Sequence, residues 1–415
     1  MPEFLNLLPP LKALDLLFER LDPHPQMEEI SSVDALQRVL AEPVIATMPL
    51  PSFARTTVDG YAVRARDTYG ASESLPAYLA LSGEVSMGAA PDLALQTAQC
   101  ALIHTGGMLP DGADAVVMLE NTQIARAGEV EILRAVAVGE NVIAIGEDVR
   151  VGEQIIPAGV TLRPAEIGGL MALGITRIHV GRRPRVGILS SGDEVIPPEV
   201  VPKPGQVRDV NAYTLSALVQ DAGGIPLRYG IIPDQADAMQ SVARKALAEC
   251  DVVVITAGSS ASTRDLTAQV ISELGEPGVL VHGVNVRPGK PTILSVCGGK
   301  AVIGLPGNPV SALVIASLFV TPVIRALQGE RRSRPRASIP AILSVNLASQ
   351  AGREDWIPVR LLESSQTGGA SRYQADPVFG KSNLIFTLAR ADGYVRIDPD
   401  ATGLSAGDSV EVILY

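Results

Sequence analysis

The chain is 415 residues long, 47% hydrophobic and 19% charged, which excludes a disordered or fibrous polymer and leaves room for about three domains. With 45 acidic against 34 basic residues the formal net charge is -11, which argues against a general polyanion-binding protein but leaves a local basic pocket open. Cys100, Cys250 and Cys297 share no metal-ligand spacing and are too few for a disulfide framework, so a reducing, cytosolic compartment is expected.

From the N-terminus, Met1 to Leu17 lacks a basic run, so no signal peptide is expected. Leu11, Leu14, Leu17 and Phe18 recur at helical spacing, and Ser31-Ser32-Val33-Asp34 has capping-box form ahead of Leu36, Val39 and Leu40. Two short helices are predicted there, closed by Pro43 and Pro49-Leu50-Pro51. From Ser52 to Arg150, short apolar runs alternate with Gly and Pro, the texture of a mostly β module. A helix follows, with Pro164 at its start, Ile167, Leu170 and Met171 on one face and Gly174 as its cap. The expected organisation is therefore a discontinuous helical N-terminal domain, residues 1–50 with 150–180, carrying an inserted β module at 51–149.

Residues 181–328 alternate continuous apolar strands (Val186 to Leu189, Val252 to Ile255, Ala301 to Ile303) with helical segments. This predicts an α/β domain built on a doubly wound parallel sheet with both faces covered. Its last apolar stretch, Val310 to Ile324, is short and interrupted by polar residues, so no membrane span is expected. Arg331 to Arg336 reads as a solvated connector rather than a nucleic-acid contact. Short alternating strands from 329 to 415 predict a small, barrel-like C-terminal β domain.

Ligands of an open parallel sheet bind beyond the carboxyl ends of its strands. Three polar loops fall on that edge: Ser190-Ser191-Gly192-Asp193-Glu194, Thr256-Ala257-Gly258-Ser259-Ser260 and Gly304-Leu305-Pro306-Gly307-Asn308-Pro309. Exposed amides there suit a phosphate or another oxyanion. Arg287-Pro288-Gly289-Lys290-Pro291 adds two cations on a stiff turn. Asp193, Glu194, Asp234 and Asp265 lie in the same turns, with Asp59 and Asp148 in the β module. A lone Asp in a turn usually just bonds backbone amides. An acidic cluster beside phosphate loops instead suggests Mg²⁺, held by one or two carboxylates and substrate oxygens. His24, His104, His179 and His282 form no ligand pattern and are expected to be structural or surface residues, and no P-loop is present.

Thr57-Val58-Asp59-Gly60-Tyr61-Ala62-Val63 resembles the DGYA segment of the MoeA family, which includes the E domain of gephyrin. The resemblance continues in family order through His104-Thr105-Gly106-Gly107, Gly112 to Val117, Gly146-Glu147-Asp148, Ser191 to Glu194, Asp209-Val210-Asn211, Arg287 to Pro291 and Gly304 to Pro309. It implies Mg²⁺-dependent insertion of molybdate into adenylylated molybdopterin with release of AMP. It also implies a four-domain homodimer whose active cleft lies between the α/β domain of one subunit and the β module of the other. Molybdopterin adenylyltransferase and molybdoenzymes are the implied transient partners.

Carried over by motif, Asp59, Thr105, Asp148, Glu194, Asp234, Asp265 and Arg287 are the catalytic candidates, and the five acidic residues among Asp59, Asp148, Glu194, Asp234 and Asp265 are candidate metal ligands. Ser191, Gly192, Asp193, Gly258, Ser260, Lys290, Pro306, Gly307, Asn308 and Pro309 are the cofactor-binding candidates. Departures from the family pattern are Ala257 and Ser262 in place of glycines, Arg287 in place of a lysine, and Gly283 where many members carry a second lysine. Two other activities fit the same residues: adenylyl transfer to molybdopterin, and a scaffold that binds molybdopterin without chemistry.

Overall fold

The computed structural model describes residues 7–257, 261–331, 335–363 and 372–415, with the backbone alone at 257 and 261–265. Its largest sheet has the order Ile225–Ile232, Arg185–Ser191, Val252–Ala257, Lys300–Pro306, Ile293–Cys297, Pro277–His282. The first four strands are parallel. Strand alternation sends Val252 and Val254 into the core on one face, and Val253 and Ile255 into the core on the other. Helices cover both faces, which explains the unbroken apolar runs.

The sheet is not parallel throughout, as the sequence reading expected. Ile293–Cys297 runs antiparallel to both of its neighbours. The physical cause is a two-residue turn: Cys297 pairs with Lys300, and Gly298 and Gly299 both take positive φ, at 57° and 77°. That is the conformation a tight hairpin requires.

On one face lies a continuous helical run, Pro309–Ile315, Ala316–Val320 and Thr321–Leu327, with a π turn in the middle. Over Pro309–Leu327 its mean hydropathy is 2.1, so length and composition alone would let it cross a membrane. Val310, Ile315, Phe319, Val323 and Ile324 are instead buried against the sheet, making it a core helix here.

The N-terminal segments depart furthest from expectation. The Pro10–Leu21 helix buries Ala13, Leu17 and Leu21 in the same core as Val281, Val284 and Leu294. It thus covers the antiparallel side of the α/β sheet rather than joining a separate helical domain. No α-helix forms at Leu36–Leu40. Gln37 takes φ of 61°, which stops helical propagation, and Val39 and Leu40 bridge to Thr161 and Val180. Segments 27–50 and 150–181 do meet, through Met27–Ser31 with Arg177–Gly181 and Val44–Ile45 with Gln154–Ile156. The unit they form is mixed α and β, with Pro164–Ala172 as its α-helix.

Between them sits a six-stranded sheet ordered Ala115–Met118, Gly60–Val63, Gln99–Ile103, Ala77–Glu84, Glu129–Ile132, Thr122–Arg126. At the C-terminus, five strands close into a barrel: Glu354–Glu363, Tyr373–Pro377, Ser338–Leu343, Ser409–Leu414 and Gly393–Ile397, the last pairing back onto the first. Val286–Arg287 from the α/β unit pairs with Glu354 and Asp355, tying the cationic turn to the barrel.

Candidate functional site

At the carboxyl edge of the α/β sheet, the Arg185–Ser191 strand ends with two buried serines, Ser190 and Ser191, 2% and 4% exposed. Among the described residues, neither hydroxyl has a hydrogen-bond partner, and the same is true of Asn211 Oδ1 and Asp234 Oδ1. Buried polar atoms left unpaired cost about 1–3 kcal/mol each, so four at one edge mark a surface built for a ligand or ordered water. The backbone around them is fixed. Asn211 Nδ2 donates to Gly307 O at 2.8 Å, and the Asp234 amide donates to Asp193 Oδ1 at 3.2 Å. Gly192 takes φ of 144°, and a Cβ there would stand 2.8 Å from Glu194 Oε2, so this turn needs glycine.

Burial pushes the Asp234 carboxyl above its ordinary pKa, and the charges of Asp193 and Glu194 add to that rise. The Ser191 hydroxyl, close to the carboxyl, opposes that rise. A carboxylate held at such a cost attracts a cation. Asp234, Asp193, Glu194 and the two serines are hard oxygen donors, and this set fits Mg²⁺ bound by one or two carboxylates with substrate oxygens completing its shell. Among the described residues, no three His, Cys, Asp or Glu side chains form a closed metal group.

Other expected residues at this edge are placed differently. Gly258 and Ser260 lie outside the described residues, and Asp265 is described only through the backbone of the Ala261–Ser272 helix. Pro306 ends its strand buried, and Pro309 opens the following helix. The Asn308 amide nitrogen donates to Ser382 Oγ at 3.0 Å. Arg287 is not a free cation: its Nη1 lies 3.5 Å from Asp355 Oδ2. Asp355 is fully buried and accepts from Arg353 Nε at 2.7 Å and Nη2 at 3.1 Å. Lys290 is exposed and forms no ion pair among the described residues.

The β module carries the second group. Asp59 Oδ1 accepts the Thr105 amide at 2.8 Å and the Thr105 hydroxyl at 3.1 Å. These bonds hold its carboxyl below the usual aspartate range, with His104 adding a smaller effect. His104, read from sequence as structural or surface, stands between two carboxylates: Nδ1 is 3.6 Å from Asp59 Oδ1 and Nε2 is 3.1 Å from Glu84 Oε1. Glu84 gave no signal in sequence because its partner is 20 residues away. Asp148 is anchored through its amide to Leu50 O at 3.0 Å. It lines a cavity of about 650 Å³ with Leu50, Pro51, Arg55, Ile143, Glu147 and Ala172. Arg55 was not singled out by any motif. Among the described residues, no hydrogen bond or ion pair joins these β-module groups to the α/β edge of the same chain.

Three family models match in sequence order: the MoeA N-terminal region (domain I and II) over residues 8–174, the probable molybdopterin binding domain over 187–326, and the MoeA C-terminal region (domain IV) over 340–415. A molybdopterin molybdenumtransferase of Nostoc sp. is 33% identical over 96% of this chain and 91% of its own. Two structures of molybdopterin biosynthesis MoeA protein from Pyrococcus horikoshii are similar throughout. One is 31% identical with TM-score 0.85, covering 99% of this chain and 100% of that one. The other is 36% identical with TM-score 0.79, covering 99% of each. With these motifs, this fold and this extent of similarity, the chain belongs to the MoeA family of molybdopterin biosynthesis proteins.

Proposed function

We propose that this chain is a molybdopterin molybdenumtransferase that takes adenylylated molybdopterin and molybdate, joins molybdenum to the two dithiolene sulfurs, and releases AMP. The observation that carries the reading is the set of buried atoms on Ser190, Ser191, Asn211 and Asp234 that have no partner among the described residues. Such groups are satisfied by a polar ligand seated at the sheet edge, where loop amides also face it. Mg²⁺, when bound by Asp234 with Asp193 or Glu194, supplies charge neutralisation for the phosphate and oxyanion oxygens.

Ser190 and Ser191 orient the substrate through their hydroxyls, and Asn211 Oδ1 accepts one of its donors. Asp59, fixed at Oδ1 by Thr105, keeps Oδ2 available to orient the oxygen that attacks the phosphoanhydride bond. The reading includes a homodimer in which the β module of one copy faces the α/β edge of the other, because among the described residues no hydrogen bond or ion pair joins the two groups within one chain. A cytosolic, reducing setting suits both the three free cysteines and a dithiolene substrate.

The test is AMP release from adenylylated molybdopterin with Mg²⁺, with and without molybdate. Molybdate-dependent release supports the reading. Tight binding of the adenylylated substrate without release contradicts it and leaves a molybdopterin-binding protein.

A further inference from the structure

The cavity beside Asp148 is lined on its charged side by Asp148, Glu147 and a single basic residue, Arg55. Arg55 is exposed and forms no ion pair among the described residues, although both carboxylates line the same space. Glu147 is already engaged, accepting the Ala144 amide at 2.8 Å. The backbone that presents Arg55 is held on both sides. Arg55 pairs with Ile143 and bridges to Met108, while Thr56 exchanges backbone bonds with Gly106 and Gly107. Its strand therefore runs between the Asp148 loop and the loop that carries Thr105, whose amide holds Asp59.

Charge supplies the second half of the argument. Glu147 and Asp148 make this cavity acidic, and an anionic substrate approaching it is repelled without a counter-charge. The cationic turn expected to serve that need is partly committed, since Arg287 pairs with buried Asp355, and Gly283 supplies no charge. A volume of about 650 Å³ is ample for a phosphate-bearing part of a small molecule. A guanidinium offers a phosphate two parallel donors.

We propose that Arg55 is a further substrate-binding residue, which holds a phosphate oxygen of the anionic substrate in the cavity it shares with Asp148. The inference rests on the transferase reading for the identity of that substrate, but not for the anion site itself. The full chain is assayed for molybdate-dependent AMP release, and AMP binding is titrated separately by calorimetry.

In Arg55→Gln, KM for adenylylated molybdopterin rises about tenfold or more, a larger change than the fall in kcat, and AMP binding weakens by a similar factor. Arg55→Lys recovers part of the loss, because charge is kept and the two-donor geometry is not. Ile143 is the cross-strand partner and lines the same cavity, so adding Ile143→Arg to Arg55→Gln restores KM, which a merely misfolded variant could not do. Equal KM and equal AMP affinity in wild type and Arg55→Gln overturn the inference while the transferase reading stands. Absence of turnover in wild type overturns the transferase reading, and the AMP titration then still decides Arg55.

Discussion

At the α/β edge, Ser190, Ser191, Asn211 and Asp234 hold buried atoms without partners among the described residues, whereas on the β module Asp59 is exposed and already held by Thr105. The two regions solve different problems. Buried, unpaired groups gain most when a ligand arrives and removes their desolvation cost. An exposed carboxylate with one oxygen fixed gains little from binding but is positioned in advance for a reacting atom. Under the proposed transferase reading, ligand grip falls chiefly to the first region and orientation of the chemistry to the second.

The largest expected effect lies at the seam beside the first region. Asp355→Ala leaves Arg353 and Arg287 without their buried counter-charge and costs about 3 kcal/mol in urea denaturation. A loss under about 1 kcal/mol would mean that the barrel does not anchor the cationic turn. Next comes Asp59→Asn, which lowers turnover by about a hundredfold while the thermal midpoint stays close to wild type, since the residue is exposed. Comparable losses of stability and turnover would erase the contrast between the regions.

A smaller and opposite effect sharpens it. Ser191→Ala removes a buried hydroxyl that has no hydrogen-bond partner among the described residues, so the free protein gains about 1 kcal/mol in stability while substrate binding weakens. Lower stability in the free protein would show that Ser191 serves the fold.

The smallest effect is in pH dependence, where the two carboxylates move oppositely from the ordinary aspartate value of 3.8. Asp59 has a lowered pKa, so its contribution to stability is present above 3.8 and disappears as pH falls through the lowered folded value. Asp234 has a raised pKa, so its contribution is full below 3.8 and is lost as pH rises through the raised folded value. Asp234→Asn should therefore help most at neutral pH, and Asp59→Asn should cost slightly there, too little to move the thermal midpoint appreciably, as followed by denaturation between pH 3 and pH 7. Shifts of the same sign would contradict the contrast.

Much of the site was legible because its residues sit in short contiguous motifs: Asp59 before Gly60, Thr105 before Gly106-Gly107, and Ser191 to Glu194 after an apolar strand. Parallel-strand texture also revealed the α/β unit. What stayed hidden depended on long-range pairing. Arg55 pairs with Ile143 and shares a cavity with Asp148 across some ninety residues, and Arg287 meets Asp355 only because two units share a strand pair. The helical stripe of Leu14 and Leu17 announced a buried face but not the sheet it would cover. At Leu36 to Leu40 the apolar spacing suggested a helix, and the left-handed turn at Gln37 together with strand bridges overrode it.

The central claim is that the two regions act on one substrate across a pair of chains, and complementation tests it most directly. Asp59→Asn and Asp234→Asn chains are co-expressed, the mixed dimers are isolated through two different tags, and molybdate-dependent AMP release is measured. A mixed dimer has one site with both regions intact, so the account predicts about half of wild-type activity per dimer from two nearly inactive parents. Mixed dimers as inactive as their parents would contradict it.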